Sequence, residues 1–315
     1  MTQTRILRLD ALEQAIHTSI PQLTVRRNEM MAGYTTLHLG GEADLLVEPS
    51  SPGQIRTLLL QANEYEVPVT LIGHGSNLLV RDGGIRGLVI RIGREMNQIS
   101  VKGDTLRAEA GAMLSTLAMA AAENELGGLT FASGIPGTAG GGVLMNAGAY
   151  GGEMSQVVTR VEGFTMTGEE FQYSRPELAF GHRTSRLQSE DVVVTHVTCQ
   201  LPAGRRSELL AEMVELNRRR AEKQPLTLPS AGSTFKRPVG GYASALIDEC
   251  GLKGVTIGGA QVSEKHAGFL VNRGGTAADF LALMAHVQKV VLEEKGIQLE
   301  PEVRIVGEDL PAARA

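Results

Sequence analysis

Cysteine is almost missing from this chain. Cys199 and Cys250 stand far apart in the sequence, which argues against a disulfide framework or a structural metal site and fits two reduced thiols buried as small hydrophobes. Long apolar runs are missing as well: nothing approaches the roughly eighteen residues of a membrane span. The first twenty residues mix Arg5, Arg8, Asp10 and Glu13 without a signal-peptide core, so a cytoplasmic protein is expected. A broad cationic face is the third absence, since the net charge is −5 and the basic residues are scattered apart from Arg218, Arg219 and Arg220. Nucleic acid and anionic lipid are therefore not expected as partners.

What the chain has in excess is glycine. Its 38 glycines stand above the usual share of about 7%, while hydrophobic residues at 42% exclude a disordered or collagen-like chain. The 315 residues suffice for two or three domains with cores of their own. Much of the excess is local: residues 127–152, GGLTFASGIPGTAGGGVLMNAGAYGG, hold ten glycines in twenty-six positions. Glycine at that density lets backbone approach a ligand and take up positive φ, at an entropic cost that a plain connection would not need. Pro136 stiffens the turn between Ile135 and Gly137, and Thr138, Asn146 and unobstructed N–H groups offer donors for a pyrophosphate. A large phosphorylated ligand is expected against this stretch; the alternative is a glycine-rich structural connection.

Around that stretch the pattern is α+β. Residues 1–30 read as a helical lead-in with Leu9, Leu12 and Ile16 at helical spacing and a turn at Pro21. A short strand is expected from Tyr34 and another over residues 44–48. A helix follows, opened by a capping box at Ser51-Pro52-Gly53-Gln54, with Ile55, Leu58, Leu59 and Ala62 on one face. A β-branched strand over residues 67–72 then leads into Gly73-His74-Gly75-Ser76-Asn77, a loop of the kind that holds a nucleotide phosphate. Leu78 stands where a dinucleotide fingerprint needs its third glycine, and strands follow where that motif would open a helix, so the Rossmann reading is weak. Two α+β subdomains gripping a flavin are expected instead. Residues 99–109 predict strands, 114–125 a helix, 157–173 a pair of strands turning at Thr167-Gly168, and 192–199 a strand. Beyond Leu201 the sequence predicts a helix from Ser207 to the arginine triplet, a second small-residue loop over 230–238, a helix around Ala245, and strands near Ile257 and Phe269. A long helix over 276–294 and a last strand over 302–306 complete the chain. The triplet itself reads as compensation of the helix dipole on a solvated face.

Taken together these motifs resemble the bacterial UDP-N-acetylenolpyruvoylglucosamine reductases. The resemblance is carried by the 73–77 loop, Gly134-Ile135-Pro136-Gly137-Thr138, Met145-Asn146-Ala147-Gly148-Ala149-Tyr150-Gly151 and Phe180-Gly181-His182-Arg183-Thr184-Ser185. It continues through Lys223-Gln224-Pro225, Ser230-Ala231-Gly232-Ser233-Thr234-Phe235, Leu246-Ile247-Asp248 and Leu299-Glu300-Pro301-Glu302-Val303-Arg304. It implies a PCMH-type FAD-binding fold of two subdomains followed by a separate α+β substrate-binding domain. The lead-in would occupy residues 1–32, the flavin domain 33–205 (subdomains near 33–93 and 94–205), the substrate domain 206–300, and a strand and tail returning to the flavin 301–315. It also implies non-covalent FAD, NADPH as reductant, a monomer, and reduction of UDP-N-acetylenolpyruvoylglucosamine to UDP-N-acetylmuramate in peptidoglycan precursor synthesis.

Residue by residue, the resemblance sets FAD against Ile72, Gly73, His74, Gly75, Ser76, Asn77, Leu78, Ser133, Gly134, Ile135, Pro136, Gly137, Thr138, Gly140, Gly141, Asn146, Ala147, Gly148 and Arg304. It maps a catalytic trio onto Arg183, Ser233 and Glu302, and turns His182, Lys223, Arg237 and His266 toward the UDP-sugar. The chemistry asks for such a trio. Hydride addition to an enolpyruvyl ether builds negative charge toward the substrate carboxylate, which a planar guanidinium stabilises. A serine hydroxyl can return the proton, and a carboxyl group assists if protonated or otherwise orients its neighbours. Each residue also has an ordinary reading, as a loop serine, a surface ion-pair arginine and an edge-strand carboxylate. The short join from Leu201 to Ser207 leaves no room for the substrate-closing tyrosine loop of one class of the family, so the chain resembles the class without it. His38 and His182 depart from the longer basic residue and the tyrosine that relatives carry there. Two readings compete: a flavin oxidase of the same broad fold, which would need a base, and a nucleotide-sugar binding module without turnover.

Overall fold

The computed structural model describes residues 3–310. Its contacts form two compact units, each threaded by separate stretches of chain. The first comprises residues up to Arg26, Leu45–His74 and Gly87–Arg220; the second comprises Arg27–Asp44, Gly75–Arg86 and residues from Ala221 onward. Helices and strands are mixed throughout, an α+β chain, and no helix among the described residues is long and apolar enough to cross a membrane.

In the first unit the helix Gln3–Ser19 buries Leu9, Leu12 and Ile16, and the helix Pro52–Glu64 buries Ile55, Leu58, Leu59 and Ala62. The Ser51 hydroxyl accepts from Gln54 N at 3.3 Å, but the Gln54 side chain accepts from Ser50 N at 2.8 Å, one residue short of a reciprocal capping box. Val69–Ile72 runs parallel to Ile85–Arg91 in a four-stranded sheet. A five-stranded antiparallel sheet follows, ordered Glu170–Ser174, Val158–Thr165, Val192–Gln200, Thr105–Glu109, Ile99–Lys102. The helices Leu114–Glu123 and Ala139–Leu144 add Leu117, Ala118 and Val143 to the core that holds Val197 and Cys199. Burial pushes the Cys199 thiol up to about 12, so it stays protonated and inert.

The second unit has its own core, built from Phe235, Ile247, Leu270, Phe280, Leu283 and Val287. Its antiparallel sheet is ordered Ser230–Ser233, Phe269–Asn272, Ala260–Val262, Thr256–Ile257. The helix Ala277–Lys295 opens on a true capping box, Thr276 with Asp279, and ends on Gly296 at φ 68. The Asp82 carboxylate adds a second cap, accepting from Ala277 N at 2.8 Å and Ala278 N at 2.9 Å. Arg304–Val306 pairs in parallel with Leu78–Val80.

Three further expectations fail for local reasons. The lead-in is not helical to residue 30: Pro21 ends the helix and Val25–Met30 is a strand. No strand starts at Tyr34, which closes a 3-10 turn, Met31–Tyr34. The Thr35 hydroxyl donates to Leu39 O at 2.9 Å and accepts from Leu39 N at 3.3 Å, folding that segment on itself. The small-residue loop at 230–238 begins instead as the strand Ser230–Ser233, because pairing with Phe269–Asn272 overrides a composition with little strand propensity.

Candidate active site

The glycine stretch becomes a short helix and its approaches. Thr138 caps Ala139–Leu144, its hydroxyl accepting from Gly141 N at 3.4 Å. Some N–H groups at the helix start are engaged within the protein: Ala139 donates to Ala112 O at 2.8 Å, Gly140 to Ala110 O at 2.9 Å and Gly142 to Thr138 O at 2.7 Å. The helix start is stitched to the backbone that follows Thr105–Glu109, which uses those donors.

Packing explains several of the glycines. A Cβ at Gly134 would lie 2.4 Å from Asn217 Oδ1, at Gly152 2.5 Å from the Phe131 ring and at Gly148 2.6 Å from Gly152 O. At Gly140 and Gly142 it would press on Ala110 and Leu114, each at 3.0 Å. Gly141 is different. It is exposed and helical, and a Cβ there would meet only Thr138 Oγ1 at an ordinary 3.6 Å. Glycine in a helix costs about 0.5–1 kcal/mol relative to alanine, and nothing in the protein demands it at this position. A ligand backbone or ring lying on that surface would.

Beside it opens a cleft of about 150 Å³, lined by Gly73, His74, Arg91, Gly93, Arg94, Asn97, Gly111, Ala112, Met113, Thr116 and Thr138. Its walls close only without side chains: a Cβ at Gly73 would lie 2.8 Å from Thr138 Oγ1, and one at Gly111 2.0 Å from Gly93 O. Two guanidinium groups stand among small residues, Arg91 paired with Glu48 at 3.0 Å and Arg94 with Glu95 at 3.3 Å, and the volume suits one phosphate or one ring of a larger cofactor. The residues present therefore fit part of a flavin dinucleotide. Arg91, Arg94, Asn97 and Thr116 were not legible as site residues; the signal for them is Gly93 and Gly111, each set where a strand ends. Burial, then the Arg91 charge, lowers the His74 pKa, so the ring beside this cleft is neutral at neutral pH.

Burial is also the main cause lowering His196 and His266, reinforced by the charges of Arg107 and Lys253 respectively. All three histidines resist protonation in the folded state, while the unfolded chain takes up protons near the ordinary 6.5. Stability therefore rises with pH through that range and is lost as the pH falls through it. The urea midpoint is expected to drop between about pH 7.5 and about pH 5.5, and His196→Gln, in the sheet and away from the cleft, should shrink the drop. A midpoint that rises on acidification would contradict this.

Also in the first unit, Gly181 and Thr184 exchange backbone hydrogen bonds at 3.0 and 3.3 Å, closing a turn with His182 and Arg183 at its tip. Arg183 takes φ 55, a left-handed conformation that non-glycine residues adopt mainly where surrounding contacts enforce it. Ser185 Oγ donates to Leu144 O at 2.8 Å and Gln188 Nε2 to the same oxygen at 2.9 Å. Asn146, in the stretch itself, donates to Gly181 O at 2.9 Å. The arginine triplet divides: Arg218 and Arg219 pair with Glu215 at 2.7 and 2.6 Å on the exposed face, as expected. Arg220 does not. It is half-buried above Gly134, its pKa lowered by burial, and it senses the charges of Tyr150 and Arg183. Its spacing from Met213 and Asn217 put it on the inward face, a signal the run of like residues concealed.

In the second unit, Ser233 stands exposed at the end of its strand, directly after Gly232 at φ 76. Thr234 O accepts from Glu302 N at 2.8 Å, Lys236 N donates to Glu300 O at 2.8 Å, and Phe235 bridges to Pro301. Asn77 Nδ2 donates to Glu302 O at 3.1 Å and Arg304 N to Asn77 O at 3.1 Å. Ser233, Glu302, Asn77 and Arg304 are thus brought together by backbone hydrogen bonds and the Asn77 side-chain amide, with Glu302 just outside the strand Arg304–Val306. Gly75 must be glycine: at φ 72, its Cβ would lie 2.1 Å from Tyr34 O. Ser76 and Leu78 follow in the same loop and strand. Lys223 is exposed at its helix end. Arg237 lies 4.0 Å over the Tyr242 ring and donates to Gly241 O at 3.2 Å, while His266 Nδ1 accepts from Gly268 N at 3.2 Å.

A family model described as the C-terminal domain of UDP-N-acetylenolpyruvoylglucosamine reductase matches residues 224–306, and one described as an FAD binding domain matches residues 43–174. A UDP-N-acetylenolpyruvoylglucosamine reductase from Levilactobacillus brevis is 50% identical over 295 residues, covering 93% of this chain and 97% of the relative. One from Clostridium botulinum is 47% identical over 283 residues, covering 90% and 92%. The crystal structure of the UDP-N-acetylenolpyruvylglucosamine reductase from Thermus caldophilus matches with TM-score 0.78 and 37% identity, over 90% of this chain and 99% of that one.

Proposed function

The chain belongs to the UDP-N-acetylenolpyruvoylglucosamine reductase family, FAD enzymes that use NADPH in peptidoglycan precursor synthesis, and from that premise we propose which residues do the work. FAD, when bound and reduced by NADPH, supplies the hydride for the enolpyruvyl group. Gly141 and the 73–77 and 134–141 backbones hold the cofactor, with Arg91 and Arg94 toward its phosphates. Arg183 receives the substrate carboxylate in a planar fork and favours the negative charge that grows there. Ser233 delivers the proton to the carbanionic carbon, giving UDP-N-acetylmuramate. Glu302, held by the backbone that follows Ser233, orients that end of the site or shares a proton with it.

His182, Lys223, Arg237 and His266 are proposed to meet the UDP-sugar, the cations on its diphosphate. The chain is proposed to act as a cytoplasmic monomer, with the flavin domain at residues 33–205 and the substrate domain at 206–300. The observation that carries the cofactor placement is Gly141, a helical, exposed glycine with room for a side chain and no protein neighbour requiring its absence. Visible spectra test the reading: the yellow protein should bleach with NADPH under anaerobic conditions and recover its colour on adding UDP-N-acetylenolpyruvoylglucosamine. A colourless protein that takes up no FAD, or a bleached one that this substrate leaves unchanged, would overturn it.

A further inference from the structure

Asn146 lies in the glycine stretch but spends its side chain within the protein. It is 2% exposed, and both ends of its amide are committed: Nδ2 to Gly181 O at 2.9 Å and Oδ1 to Ser155 N at 2.9 Å. The orientation is fixed by the partners, because a carbonyl can only accept and a backbone N–H can only donate. Its φ of 42 is left-handed, which asparagine tolerates better than most residues. Buried and doubly bonded, the amide has little left to offer a cofactor.

What it holds is the arginine turn. Gly181 closes the hydrogen-bonded pair whose tip is His182 and Arg183, and Arg183 sits in a left-handed conformation that needs enforcement from outside. The other flank is held by Ser185 and Gln188 on Leu144 O, two residues before Asn146. Glu153 closes the cluster: the Ser155 hydroxyl first, then the Asn146 amide and the charges of His182 and Arg183, keep its carboxyl below the usual range. The turn and the glycine stretch are therefore one clamped piece of backbone.

We propose that Asn146 is a positioning residue for Arg183, setting the guanidinium for the substrate carboxylate in the half-reaction that consumes substrate. This rests on the reading of Arg183 above. Asn146→Asp keeps the acceptor for Ser155 N–H but turns a carboxylate on the Gly181 carbonyl. In anaerobic stopped-flow, flavin content and reduction by NADPH should stay within about twofold, while oxidation of the reduced enzyme by substrate slows by up to about 100-fold, the scale of a small misplacement of a catalytic group. In an Arg183→Ala background the same change should add less than about twofold. Equal slowing in both backgrounds, equal slowing of both half-reactions, or loss of flavin would overturn the proposal. If Arg183→Ala alone leaves oxidation of the reduced enzyme by substrate untouched, the reading of Arg183 falls instead. Asn146→Gly, which fits φ 42 without strain and removes the whole side chain with its amide, gives the same test should the aspartate variant not fold.

Discussion

Replacing Ser233 with alanine slows oxidation of the reduced enzyme by the enolpyruvyl sugar by about 100- to 10,000-fold, the usual contribution of a positioned proton donor. Reduction by NADPH changes little, because no proton is given to substrate in that half-reaction. The substitution is clean on structural grounds. Ser233 is exposed, it follows Gly232 whose φ of 76 makes the bend, and the hydrogen bonds that hold the segment run through Thr234, not through the serine side chain. Alanine therefore removes a hydroxyl and leaves the backbone that carries Glu302. Ser233→Cys, which keeps a donor, should retain more activity than alanine. Stopped-flow traces showing the two half-reactions slowed alike would remove Ser233 from the proton-transfer role.

Arg183→Lys keeps the charge and loses the planar fork. Turnover should fall by about 100- to 1,000-fold, the range seen when one group stabilising a developing oxyanion is removed. Lysine faces the same backbone restriction at φ 55, and the turn is closed through Gly181 and Thr184, so the loss would report the guanidinium and not the fold. Near-unchanged turnover would mean that Arg183 acts only as a diffuse charge, or not at all.

Much of this was legible in the residues. The two strong helices, Pro52–Glu64 and Ala277–Lys295, announce themselves by cap residues and apolar period, and their buried faces follow the periodic residues closely. Ser230–Ser233 was not legible, since Ser-Ala-Gly-Ser becomes a strand only by pairing with Phe269–Asn272. Arg220 was hidden for the opposite reason: its neighbours in the triplet are solvated, and only its spacing from Met213 separates it from them. In the glycine stretch the density of glycine was plain, but the division of labour was not. Gly134, Gly148 and Gly152 answer to neighbours distant in sequence or across a small hairpin, and only the folded chain shows that Gly141 answers to none.

Gly141 gives the most direct measurement. In the apoprotein Gly141→Ala should stabilise the short helix by about 0.5–1 kcal/mol, because alanine loses less freedom there than glycine and meets no clash. The bulkier Gly141→Val should push the cofactor away at a cost of about 1–3 kcal/mol, which is roughly a ten- to hundred-fold weaker FAD. Flavin occupancy and circular dichroism on the same sample decide it. The expected result is a folded Gly141→Val protein that purifies depleted of flavin; a folded protein with full flavin loading would show that this surface does not touch the cofactor.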